Sequence, residues 1–554
     1  MLQTLNKFQI NKQCWRRQQQ QQLLQYTARC LSATQELSKV KVKLDDLATD
    51  DVGTLNGAEL FLKNIAKEWK EARPFKEIPG PSKLQTIRGF MRGGEFHGLA
   101  MNDFVLRCRQ KYGDICLLPG PLGQGPLLSI FDPKDFERVH RTEGAYPIRP
   151  GGEVFVYYRL RRKDGFFKET QGLIGGGKSW SDFRSKVNPV LMKPQNALLY
   201  LEPMQRVNSE FVQRIRDIRH PVTREVPANF INDIQRLAFE SIAAVALDKE
   251  LGLIRRNTNS LEAQELFECT QVFVSALYDL VIKPSFYRYF PTPTYKRFER
   301  AMDTIFDICS KYIAEALERV ESRKIKHGGK GESEGGSVLE KLLKIDRKVA
   351  IIMSMDMLFG GVDTTASTLS AALLLLAKNP EKQSKLRAEV LTAVAVDERF
   401  TVEHMEKLPY LRACIKEALR IYPITTGNFR ETGRDIVLSG YRVPKGTGVM
   451  INSNLLLSEE RYFPRAREFI PERWFRDDSE RLVAKDLNPF VYQPFGFGPR
   501  TCVGKRIVSL ELELTLANLL RNFSIEFHHP TENAFVTNMI SFPTIPLKFK
   551  FTDL

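Results

Sequence analysis

The residues Phe495-Gly496-Phe497-Gly498-Pro499-Arg500-Thr501-Cys502-Val503-Gly504 make a glycine-rich loop around one cysteine, and a helical pattern follows directly. That arrangement suits a thiolate that ligates a metal. Coordination keeps a thiol deprotonated. Backbone N–H groups near the sulfur moderate its charge and tune the metal. The glycines at 496, 498 and 504 let the chain come close to the sulfur. The N-terminus of the following helix adds positive potential beneath it. Phe495 can shield the sulfur from oxidation, and Arg500 can reach an anionic group with a charge-assisted hydrogen bond.

Other residues of chemical interest lie upstream. Gly360-Gly361-Val362-Asp363-Thr364-Thr365 interrupts a long apolar helical run with an acid beside a hydroxyl. Glycine and threonine are poor helix formers, so a local opening of the helix is expected here, forming a groove. Glu417 and Arg420 stand at i and i+3 on one helix face. Downstream comes Pro471-Glu472-Arg473-Trp474. Trp180 and Arg184, at i and i+4, share a face and can both donate to a carboxylate.

In this order the motifs resemble those of the cytochrome P450 family. The cysteine loop is similar to its F-x-x-G-x-R-x-C-x-G signature, Glu417–Arg420 to its E-x-x-R, and 471–474 to its P-E-R-F, with Trp474 where Phe is usual. Trp180–Arg184 resembles its W-x-x-x-R, and 360–365 its [AG]-G-x-[DE]-T-[TS]. The resemblance runs from about residue 75 to the end of the chain. It implies a mostly α fold with small β-sheets, one large haem-enclosing domain over 75–554. The implied cofactor is haem b, ligated by Cys502 within a loop that includes Phe495 and Gly504. Trp180, Arg184, Arg430 and Arg500 are implied at the propionates. Glu417, Arg420 and Arg473 are implied as a buried charge network behind the haem. Asp363 and Thr364 resemble the acid–alcohol pair that delivers protons during O₂ activation. The implied reaction places one oxygen atom of O₂ in a hydrophobic substrate, xenobiotic or steroid-like. A P450 that rearranges oxygenated lipids, or a haem-binding sensor, would have no use for that pair.

Electrons must come from outside, because no flavin or iron–sulfur motif is present. The formal net charge is +16, yet no zinc-finger or RNA-binding signature is found, so nucleic acid is not the expected partner. An acidic protein or an anionic membrane fits better. Residues 1–35 carry five basic side chains and no acid, are rich in Gln, and lack an apolar signal core. They read as a mitochondrial transit peptide, followed by a polar lead-in over 36–74. No long uninterrupted apolar window occurs, so membrane contact is expected to be peripheral. These features resemble mitochondrial P450s, most closely the insect enzymes of the detoxification type. The resemblance implies an acidic [2Fe–2S] ferredoxin, served by an NADPH-ferredoxin reductase, docking on Arg412, Lys416, Lys505 and Arg506. A microsomal enzyme using a diflavin reductase would need an N-terminal anchor helix. The implied location is the matrix side of the inner membrane, with the apolar, aromatic and basic stretch 281–290 inserted in it.

The elements that must hold these residues are mainly helical. Amphipathic spacing predicts helices over Asp103–Tyr112, Ile231–Leu247, Leu261–Leu280, Tyr295–Arg323, Arg347–Lys378, Leu386–Ala395, Glu403–Leu419 and Val508–Asn522. Short strands are expected at Leu127–Phe131, within 429–452 and at Leu547–Phe551, and a glycine-rich solvent loop at 328–336. The substrate pocket is expected to draw on 145–175, 265–290, Leu358–Thr364, Ile424–Asn428 and Ile540–Thr544. Of the eight cysteines, all but Cys502 are expected to be small buried hydrophobes without disulfides.

Overall fold

The structure is a computed structural model that describes residues 64–554 apart from 65, 121–124, 256–259, 282–284, 327–335, 396 and 476–486. The expected transit peptide, nearly all of the lead-in, and the glycine-rich loop up to 335 lie outside the described residues. The chain divides into two compact units, Met1–Glu71 and Ala72–Leu554. In the first, the described residues 66–71 are helical. All functional residues considered below belong to the second.

Ala72–Leu554 is mostly helical, with small sheets at its margins. The helices that position the site are α1 (Pro133–Thr142), α2 (Gly177–Leu191), α3 (Ile231–Leu247), α4 (Leu261–Val281), α5 (Pro293–Lys326), α6 (Arg347–Lys378), α7 (Pro409–Ile421) and α8 (Lys505–Asn522). A four-stranded sheet contains β1 (Ile115–Leu118), β2 (Leu127–Ile130), β3 (Asn428–Glu431) and β4 (Gly448–Ile451), in the order β1-β2-β4-β3. β2 and β4 are parallel, and the outer pairs are antiparallel. Pairing of Arg430 with Val449 fixes where that arginine stands.

Two apolar cores support these elements. The larger surrounds α6 and includes inward faces of α2, α3, α4, α5, α7 and α8. The smaller lies under the sheet and α1. α6 starts where the Asp346 side chain accepts the N–H groups of Lys348 and Val349. It ends before Pro380, which starts the next helix. Most residues of α6 are buried, as expected for a helix that is apolar around most of its surface. Among the described residues it alone is long and apolar enough to cross a bilayer, but that stretch is 78% buried inside the protein. It is the central core helix.

The structure corrects several sequence expectations. α6 is helical without a break through Gly360–Thr365, so the expected opening does not occur. The Thr364 hydroxyl satisfies the Gly360 carbonyl at 2.6 Å, a bond available inside an intact helix. Glu403–Leu419 is two helices, Val402–Glu406 and α7, because Pro409 starts a new one at its first position. The helix expected at Leu386 begins at Pro380. The last strand is Lys550–Asp553, paired with Phe523–Glu526, rather than Leu547–Phe551. Leu547 instead sends its N–H to Ala228, outside the ladder.

α3 and α6 pack closely at Gly361, where an added Cβ would lie 2.9 Å from Ile242 Cγ1. Gly361→Val is therefore expected to lower stability by about 1–3 kcal/mol through overpacking. Urea unfolding of the variant checks this.

Candidate active site

The cysteine loop closes on itself. Gly496 and Gly498 both have φ of 71°, a conformation that favours glycine. Gly498–Arg500 forms one 3-10 turn, and the Cys502 N–H donates to the Phe495 carbonyl at 2.9 Å. Gly504 has φ of −83°, so conformation does not require glycine there. Its N–H and that of Lys505 instead donate to the sulfur and favour the thiolate. Burial pushes the Cys502 thiol up, while those N–H groups, Arg184 and Arg149 pull it down. Although burial dominates its ionisation, Cys502 has accessible surface. The other described cysteines are free, and of these only Cys269 is not fully buried.

Guanidinium groups gather around this loop. Arg500 donates to the carbonyls of Pro147 and Gly175 at 2.8 Å and of Leu173 at 3.2 Å. It lies 3.7 Å above the Trp180 ring, a cation–π contact. Arg184, on α2 with Trp180, donates to Thr501 O at 2.6 Å and leaves its buried Nε unpartnered. Arg430 donates from Nε to Glu143 Oε2 at 2.6 Å and from Nη2 to Phe497 O at 3.3 Å. Arg430 thus ties β3 to the end of α1 through a buried ion pair and to the cysteine loop through Phe497 O, and Glu143 Oε1 remains unpartnered.

Arg149 completes the cluster and was not singled out in the sequence. It stands in the segment Pro147-Ile148-Arg149-Pro150, which joins β3 through a hydrogen bond from the Glu431 N–H to Ile148 O at 3.1 Å. Burial and Arg430 lower its pKa, and Cys502 raises it. An arginine directly before a proline, in a stretch whose backbone is restricted, is the one local signal. Only the long-range pairing with β3 gives it meaning. Arg500 is pushed down to about 9, chiefly by burial and then by Arg149, Arg430 and Arg184. Glu143 is the one carboxylate that acts on Arg500 against these three. Such an excess of positive charge in a poorly solvated place needs anions. The two propionates of a haem would supply them, so the residues present fit that cofactor.

On α6, Gly360 is exposed within an otherwise buried stretch, and a Cβ there would meet nothing within 4 Å. The absent side chain, not an opened helix, makes the groove. Thr364 lies on the same face one turn later. Asp363 is buried, its carboxyl pushed up to about 6 by burial. Its Oδ1 accepts a hydrogen bond from Gln235 Nε2 of α3 at 2.6 Å. The acid and the hydroxyl are thus each bonded elsewhere, Asp363 to α3 and Thr364 to its own helix. Beside Gly360, Phe359 stacks on Phe273 with ring centres 4.3 Å apart, and Phe155 lies 4.8 Å from Phe273. A bridge between Thr425 and Ile540 joins the two C-terminal segments expected at the pocket.

Glu417 is held by five donors. Arg420 reaches both carboxylate oxygens at 3.0 and 2.8 Å, and Arg473 Nε reaches Oε1 at 2.9 Å. Ile470 N–H adds a bond at 3.1 Å, and Trp474 Nε1 one at 2.9 Å. The tryptophan therefore contributes a donor that phenylalanine lacks. Arg420 spends its remaining N–H groups on the carbonyls of Leu457, Ala466 and Glu468.

Of the four basic residues expected at a docking face, Lys416 is brought near Arg412 and Lys505, which both lower its pKa after burial does. Lys505 and Arg506 are exposed. Arg412 is turned back onto its own surroundings, donating to Met405 O and Glu406 O and lying 3.5 Å from Glu513. In the stretch 281–290, of which 282–284 lie outside the described residues, Phe286, Tyr289 and Phe290 are exposed and Tyr287 is buried.

Residues 80–551 match the family model described as cytochrome P450. The chain belongs to the cytochrome P450 family. It is 53% identical over 502 residues to the Drosophila melanogaster protein named probable cytochrome P450 12c1, mitochondrial, covering 90% of this chain and 95% of that one. It is 51% identical to probable cytochrome P450 12a5, mitochondrial, of the same species, covering 88% and 92%. It is 47% identical to cytochrome P450 CYP12A2 of Musca domestica, covering 88% and 93%. The P450 is an oxidoreductase of the mitochondrial class, a monooxygenase whose cofactor is cysteine-ligated haem b.

Glu417→Ala leaves two guanidiniums buried without their anion and is expected to cost about 3–5 kcal/mol. Trp474→Phe removes one donor among five and should cost about 1 kcal/mol. Chemical denaturation of the variants checks both values. Asp363 binds its proton more tightly in the folded protein than in the unfolded chain. Its contribution to stability is therefore greatest below about pH 4 and falls as pH rises to about 6. The loss is about 3 kcal/mol, and Asp363→Asn should remove it. Unfolding free energies of both proteins across that range measure the difference.

Proposed function

We propose that this P450 hydroxylates a neutral, apolar molecule, xenobiotic or steroid-like, on the matrix side of the inner mitochondrial membrane. Its electrons come from NADPH through a ferredoxin reductase and an acidic [2Fe–2S] ferredoxin. The observation that carries the reading is the accessible face of α6. Gly360 and Thr364 open it, Phe155, Phe273 and Phe359 adjoin it, and the buried acid Asp363 stands next to the hydroxyl. An apolar surround with one poised acid suits oxidation of an uncharged substrate with proton delivery from within.

When bound, the haem supplies the oxygen-activating and electron-transfer chemistry. The chain's residues do the rest. Cys502 would ligate the iron, and the Gly504 and Lys505 N–H groups would moderate its charge. Arg149, Arg184, Arg430 and Arg500, with Trp180, would hold the propionates. Phe495 covers the sulfur. Asp363 passes protons to the Thr364 side of the helix and recovers them from solvent. Glu417, Arg420 and Arg473 keep the region behind the cysteine loop rigid. Lys416, Lys505 and Arg506 offer positive charge to ferredoxin, with Arg412 as a half-committed neighbour. The exposed aromatics Phe286, Tyr289 and Phe290 rest at the membrane interface.

Reconstitution tests this directly. Turnover of an apolar substrate panel is expected with ferredoxin plus its reductase and not with a diflavin reductase. Product with the diflavin reductase alone would overturn the reading. Lys416→Glu should raise the ferredoxin concentration for half-maximal rate about tenfold at low salt, and rising salt should weaken the wild-type interaction. Asp363→Asn should lower turnover about a hundredfold.

A further inference from the structure

We propose that Gln235 is the positioning residue of the proton donor: its side-chain amide anchors the Asp363 carboxyl against α3 in the orientation from which it gains and releases its proton. The inference rests on the reading of Asp363 as that donor and assigns it a partner from a different helix.

The argument begins with the contact. Gln235 Nε2 donates to Asp363 Oδ1 at 2.6 Å, and both side chains are buried, at 7% and 3% exposure. The amide is the one hydrogen-bond donor that bears on the acid's ionisation. The bond spans α3 and α6, which also pack tightly where Gly361 meets Ile242. A rigid pair of helices therefore fixes the direction of the carboxyl.

The chemistry of the partner matters as much. A lysine or arginine at 235 would hold Asp363 ionised at every working pH, and an apolar residue would shift it further toward the neutral form. An amide donates without charge, so burial and hydrogen bonding oppose each other. The carboxyl then titrates at about 6, near the pH where a proton relay must exchange in both directions. Other charges on neighbouring elements are occupied elsewhere. Asp233 pairs with Arg214, Asp356 pairs with Arg159, and Glu240 accepts the Leu251 and Leu253 N–H groups, while burial pushes the Glu511 carboxyl well up, toward its uncharged form. None of them contributes to the Asp363 titration.

Two variants of the full-length, haem-loaded protein test the proposal. Gln235→Leu removes the donor, and Gln235→Glu sets a second carboxyl against the first. Infrared difference spectroscopy follows the C=O stretch of protonated Asp363, identified by its loss in Asp363→Asn. The midpoint is expected at about 6 in the parent. It should rise by about one unit in Gln235→Leu and at least as far in Gln235→Glu. Peroxide released per NADPH oxidised, with ferredoxin and its reductase, should rise about threefold in Gln235→Leu. It should not rise further when Gln235→Leu is added to Asp363→Asn. A merely structural glutamine would lower the melting temperature and leave the infrared midpoint where it was. Unmoved midpoints in both variants overturn the proposal. An Asp363→Asn protein whose peroxide yield equals the parent's overturns the donor reading itself, a distinguishable result.

Discussion

A thiol enclosed by protein prefers to stay neutral, and the site depends on overcoming that preference at Cys502. Burial raises its pKa, and the fold answers with directed positive potential. The start of α8 presents two N–H groups to the sulfur, and Arg184 and Arg149 add full charges. Bound iron completes the ionisation. The loop can deliver the sulfur to that place only because Gly496 and Gly498 adopt positive φ and the Phe495 carbonyl catches the Cys502 N–H.

That concentration of positive charge has consequences elsewhere. Burial and then repulsion from the other arginines around the loop depress Arg500. They are held in place by carbonyl groups, by the Trp180 ring and by Glu143, whose single negative charge is outnumbered by the guanidiniums and leaves room for another anion. Glu417 plays the opposite part at a distance, a single carboxylate pairing with two guanidiniums and fastening the chain before the loop to α7. Around Asp363 the protein avoids charge instead. Asp363 meets an amide and apolar neighbours, so its proton remains exchangeable.

Motifs that act through adjacent residues were legible in the sequence. The cysteine loop, Glu417 with Arg420, and Trp180 with Arg184 could be read because their members share a turn or a helix face. Long helices such as α3 and α4 were equally plain from their periodicity. What escaped depends on contacts between distant segments. Arg149 gains its role from β3, Glu143 from Arg430, Gln235 from α6, and the Trp474 donor from a carboxylate 57 residues away. The weak helix formers at 360–365 suggested a break that packing overrides: α3 on one side and the Thr364 hydroxyl on the other keep the helix whole.

The central claim is that Cys502, whose thiolate is favoured by N–H groups and arginines against its burial, is the ligand that defines this enzyme. The carbon monoxide difference spectrum of the reduced protein tests it most directly. The parent is expected to give the band of a thiolate-ligated haem, and Cys502→His the distinct band of an imidazole-ligated one. A thiolate-type band that persists in Cys502→His would place the ligand elsewhere and contradict the account.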